Sequence, residues 1–153
     1  MSVHTNIRGG APVGALADLD PVDARAVTYF RMWCHGATTR TRLREEVTAI
    51  MGTNEGLSFC RCLRDLHDVT VHYGRRALMC HQVNCSCLGA DECALAHLIG
   101  AAREGAREDA MLLASLIVRP DIAHGLSALA GDFGIGLDLI ERKSRSLRDH
   151  TRH

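Results

Sequence analysis

Aromatic residues make up only 4% of the chain, with a single Trp, and there are only three Pro. Runs of β-branched and aromatic residues, the usual material of strands, are scarce, which disfavours a sheet-based fold. Lys is nearly missing: of 18 basic residues only Lys143 is not Arg. Net charge is missing as well, because 18 acidic residues balance the 18 basic ones. That balance removes the electrostatic reason to expect nucleic acid or an anionic membrane as a partner. The longest strongly apolar run, Ala110 to Val118, is far too short to span a bilayer. The first eight residues show no basic start followed by an apolar stretch, so no secretory leader is expected.

Ala and Leu are plentiful, and both favour helices. The chain has 153 residues, 46% of them hydrophobic and 24% charged, a globular profile that suits one domain. A domain of this size buries about two-thirds of its unfolded surface and needs neither metal nor disulfide merely to fold. The Arg and Ala bias points to a genome of high G+C content, and so to a bacterium. Seven Cys are present. An odd number cannot close into intrachain pairs, so reduced thiols and a cytoplasmic setting are expected.

Three segments follow from the pattern: a loose arm over 1–19, a helical domain over 20–141 and a polar basic tail over 142–153. Asp20-Pro21 reads as a cap and first residue of a helix. Val22, Ala26, Tyr29, Phe30, Trp33 and Cys34 form its stripe, and Gly36 ends it. Leu43, Val47, Ile50 and Met51 give a second, narrow-striped helix ending at Gly52. A third, capped by Asn54, runs to Gly74. Asp91 caps a fourth, with Glu92 beside it at the positive end of the helix dipole, and Gly105 closes it. The fifth, over Ala110 to Val118, is apolar all round and is expected in the middle of the bundle. A short sixth carries Ile122, Leu126 and Leu129, and a seventh begins at Asp132. The expected fold is therefore all-α: a compact bundle of six or seven helices. Its one exception is a long Cys/His-rich irregular loop over about 75–90, and ordered loops of that length tend to be functional.

The densest chemistry lies in Cys80-His81-x-x-x-Cys85-x-Cys87-x-x-x-x-x-Cys93-x-x-x-His97, which holds four of the seven Cys within fourteen residues. Zinc favours four thiolate or imidazole ligands. Cys93 and His97, four apart on a helix, share a face, and Cys85 and Cys87 lie in the loop before it. These four are the candidate metal ligands, with Cys80 and His81 as alternates. The spacing matches no zinc-finger, haem or iron–sulfur pattern. Reduced thiols packed as small apolar groups are the simpler reading. A redox role would rest on Cys93, whose place in the first turn of a helix favours thiolate.

The segment Phe59 to Leu66, with Cys60-Arg61-Cys62 at its centre, resembles the C-x-C helix of ArsR-type metal-sensing repressors over about eight residues. The resemblance implies metal-controlled DNA binding. It stops at His67, since no recognition helix or wing follows, and residues two apart on a helix point about 200° apart. His35, His67, His72 and His124 read as packing or surface residues, and Arg75-Arg76 as solvated surface.

The expected function is a small non-enzymatic helical binding or regulatory module, acting through a helical surface or the 75–90 loop. Its partner would be a protein, a second copy of the chain included. The alternative is a metal protein in which zinc on Cys85, Cys87, Cys93 and His97 pins the loop structurally.

Overall fold

Asp20 and Pro21 start the first long helix as their order predicts: α1 spans Pro21–Cys34, and the Asp20 carboxylate accepts the Asp23 amide at 2.9 Å. The computed structural model describes residues 8–152. Over that range the chain forms α1, α2 (Ala37–Met51), α3 (Thr53–Tyr73), α4 (Ala90–Arg103), α5 (Arg107–Ile117) and α6 (Ala123–Thr151). A two-stranded antiparallel ribbon, β1 (Pro12–Ala15) with β2 (Cys87–Gly89), is the only sheet among the described residues. The fold is all-α. None of the described helices is long and apolar enough to cross a membrane.

Glycine sets the helix junctions. Gly36, Gly52 and Gly105 have φ of 111°, 91° and 80°, a left-handed backbone that side chains with a Cβ avoid. α2 buries only Leu43 and Val47, the narrow stripe read in its sequence. Buried Trp33 packs beneath it, with the Arg40 and Arg44 guanidinium groups 5.0 and 5.4 Å from its ring centre. The core joins α1, α3 and α6 through aromatic rings. Phe59 stacks on Phe133 at 5.0 Å and meets the edge of Tyr29 at 6.1 Å.

The second half differs from expectation in two ways. The sixth and seventh helices are one, α6, which packs against all five others. Its glycines do not break it because they are contact points. A Cβ on Gly134 would lie 2.8 Å from the Arg103 Cβ, and one on Gly136 would lie 2.6 Å from the Phe59 ring. Packing therefore overrides their low helix propensity. α6, and not α5, is the central helix. α5 buries Ala110, Ala114 and Ile117 but leaves Leu112 and Leu116 68% and 69% exposed.

The termini also carry structure. Residues 1–7 of the expected arm and His153 of the tail lie outside the described residues. Residues 12–15 of the arm form β1, in register Pro12 with Gly89 and Ala15 with Cys87. The tail continues α6 to Thr151, with Arg145 reaching back to Glu141 at 3.6 Å.

Candidate functional site

The long loop lies where the sequence places it, between the end of α3 and β2. Its shape comes from charged groups on α1 and α4. Arg31 of α1 has no exposed side-chain surface. Its Nε and Nη2 donate to both oxygens of Glu92 at 2.6 and 2.9 Å. Nη1 and Nη2 also donate to the loop carbonyls of Cys85 and Cys87 at 2.7 and 2.6 Å. Glu92 accepts further from the amides of Gly89 and His81 at 3.0 and 3.3 Å. Burial pushes the Glu92 carboxyl up, but hydrogen bonds from Arg31, Gly89 and His81 outweigh it and hold it below the usual range.

Asp91 forms a second anchor. Its oxygens accept Arg76 Nη1 and Nη2 at 2.7 and 2.6 Å, and Oδ2 accepts the Met79 amide at 2.8 Å. Asp91 does not cap α4: the helix begins one residue earlier, with Gly89 at the cap position. The adjacent acids read as helix-start residues thus organise the loop, and Arg76 is spent on one of them. The arm forms a third anchor. Leu16 donates to the Ser86 carbonyl at 2.8 Å and Ala90 to that of Ala11 at 2.9 Å. His81 Nε2 meets the Gly10 carbonyl at 2.9 Å. A carbonyl only accepts, so this nitrogen carries a proton, and Nδ1 faces Cys85 Sγ at 3.9 Å.

The four candidate metal ligands are not gathered. Cys93 and His97 do share a face, with Sγ 3.9 Å from Nδ1. Cys93 also packs with Val27, Leu88 and Ala96, whereas Cys85 faces His81 and Cys87 is exposed on β2. Among the described residues no three His, Cys, Asp or Glu side chains come together as a metal site. Cys60 lies in the core and Cys62 Sγ meets the Leu129 carbonyl at 3.6 Å. Burial raises both thiols, that of Cys62 to about 11, and the C-x-C pair does not converge.

A different thiol pair does converge. Cys34, at the last position of α1, and Cys80, in the loop, place their sulfurs 3.1 Å apart. The Cys80 thiol in contact with it holds the Cys34 thiol down to about 6 against the opposing effect of burial, helped by the nearby His67 and His35 rings. The same contact and burial push Cys80 up. His35 Nε2 donates to the His81 carbonyl at 2.8 Å, so both histidines read as incidental in the sequence take part. Sequence reading missed Arg31 and Cys34 because their partners are 61 and 46 residues away. The one available signal was Arg31 itself, an Arg among the apolar residues of the most aromatic helix.

A cleft of about 670 Å³ opens beside the loop between α1, α2 and α6, with Tyr29, Met32 and Val83 as apolar lining and Arg25, Glu46 and Glu141 among its charged groups. Comparison with known families, with characterised proteins and with solved structures finds no match for this chain.

Proposed function

We propose that this protein is a non-enzymatic binding module of the bacterial cytoplasm that presents the 75–89 loop, with the adjoining cleft, to a protein partner. The carrying observation is the use made of Arg31. A buried ion pair adds little stability compared with apolar residues of the same size, and its best-attested use is to specify one arrangement. Here its four hydrogen bonds fix Cys85, Cys87 and Glu92 together. A loop ordered in advance gives up little entropy on binding. Gln82, Asn84, Ser86 and Cys87 are exposed on its outer side, and Val83 connects it to the cleft. Beside the loop the Glu92 and Asp91 carboxylates are paired with the Arg31 and Arg76 guanidinium groups, which fits recognition better than acid–base chemistry.

The test is crosslinked capture from cells with the normal chain, with Val83→Arg/Asn84→Ala, and with Arg107→Ala, at the start of α5 and outside the loop and the cleft lining. The loop variant is expected to lose the captured partner while keeping its circular dichroism spectrum, and Arg107→Ala to keep both. Retention of the same partner by the folded loop variant would contradict the reading.

A further inference from the structure

Two thiols from segments 46 residues apart meet at 3.1 Å, and neither the bundle nor the anchored loop requires that meeting. Both residues are only part-buried and lie at the edge of the core. Around Cys34 stand Cys80, His67 and His35, and around Cys80 stand Cys34, Glu92 and Arg31. The asymmetry assigns roles. Either sulfur can donate in the S–H···S contact, and the His67 and His35 rings beside Cys34, against the Glu92 carboxylate beside Cys80, favour the thiolate on Cys34. Cys34 is therefore the thiolate and the nucleophile. The remaining thiols show no such pairing: among the described residues no other two sulfurs lie within hydrogen-bond reach.

We propose that Cys34 and Cys80 are a reactive dithiol that a hydroperoxide converts to an intramolecular disulfide, which makes the presented loop responsive to oxidant. The Cys34 thiolate attacks the outer oxygen of the hydroperoxide. The O–O bond breaks, the alkoxide leaves and takes a proton from water, and Cys34 becomes a sulfenic acid. The Cys80 sulfur then attacks the Cys34 sulfur. The S–O bond breaks, and the hydroxide departs as water with the proton released by Cys80. Two thiols and one hydroperoxide thus give one disulfide, one alcohol and one water. The two electrons lost by sulfur reduce the peroxide bond.

The disulfide brings the sulfurs from 3.1 Å to about 2.05 Å, so the loop draws toward α1 by roughly 1 Å at Cys80. Residue 81 follows directly, and its backbone already bonds to His35 and Glu92. Shifting it disturbs the anchors that set the loop's shape. This consequence rests on the loop being the binding surface, whereas the chemistry does not.

The experiment uses the full chain, reduced and freed of reductant, with cumene hydroperoxide added in equal amount. Peptide mapping is expected to show a mass loss of about 2 Da on one linked pair, Cys34 with Cys80. Cys34→Ser is expected to slow peroxide consumption by about tenfold or more. Cys80→Ser is expected to keep consuming peroxide and to stop at a sulfenic acid that dimedone traps on Cys34. Hydrogen exchange over 78–87 is expected to differ between the reduced and oxidised normal chain. Consumption unchanged in folded Cys34→Ser, or a disulfide between other cysteines, would overturn the dithiol. A Cys34–Cys80 disulfide with unchanged loop exchange would overturn its effect on the loop. None of these readouts needs a partner, so failure of the capture experiment and failure of this one are distinguishable.

Discussion

Arg31 sits on the most apolar face of α1, between buried Phe30 and Met32, where a hydrocarbon side chain would be the ordinary choice. Desolvating a guanidinium costs several kcal/mol unless each bond is well made. Arg31 meets that condition with a bidentate carboxylate and two carbonyls. Arg31→Met should therefore cost about 3–5 kcal/mol, because Glu92 would be left buried without its partner. Urea unfolding checks this, and a loss under about 1 kcal/mol would show the pair to be solvated. Replacing both partners should not restore stability, since the Cys85 and Cys87 carbonyls would still lack donors. Asp23 is the opposite case. Burial, then repulsion from Asp20, raises its pKa to about 6, opposed by Arg103 and His97, and one of its oxygens is buried without a partner. A raised carboxyl contributes stability that is present below its unfolded value of 3.8 and lost as pH rises through about 6. Asp23→Asn should thus stabilise the protein by about 1 kcal/mol near pH 7.5, a figure reduced for partial solvation. It should have no effect near pH 3. Thermal melts at the two pH values measure the difference, and an equal effect at both would refute the assignment.

The helices divide into those whose ends are local and those whose ends are not. Asp20-Pro21 and the glycines at 36, 52 and 105 act through their own backbone geometry, so α1, α2 and the close of α4 were legible in the sequence. α6 was not. Gly131, Gly134 and Gly136 weaken a helix locally, and the neighbours that compensate, Ala102, Arg103 and Phe59, come from elsewhere in the chain. The misplacement of α5 has a similar cause. Leu112 and Leu116 make it look central by composition, but the bundle uses its alanine face. A paired substitution separates the two kinds of glycine. Gly134→Ala should destabilise the protein by about 1–3 kcal/mol through overpacking against α4. Gly125→Ala, with nothing within 4 Å of the added carbon, should stabilise it by about 0.5 kcal/mol. Equal and favourable effects, by urea unfolding, would mean that α6 does not approach α4 as closely as described.

At the scale of the whole molecule, the bundle holds an irregular loop still. α1 supplies Arg31 and Cys34, α4 supplies Asp91 and Glu92, and the arm supplies β1 and the Gly10 carbonyl. The loop itself was visible in the sequence as a break in helical spacing. What holds it was not, because Arg31 and the arm lie 54 or more residues away, and Asp91 and Glu92 read locally as helix-start residues. The central claim is that the loop is a single ordered surface, and amide hydrogen exchange tests it most directly. The amides of Met79, His81 and Gly89 donate to the Asp91 and Glu92 carboxylates. In the reduced protein at neutral pH these amides should exchange at least about 100-fold more slowly than in an unstructured peptide. Exchange of all three within about fivefold of the peptide rate would mean that the loop opens freely, and would contradict the account.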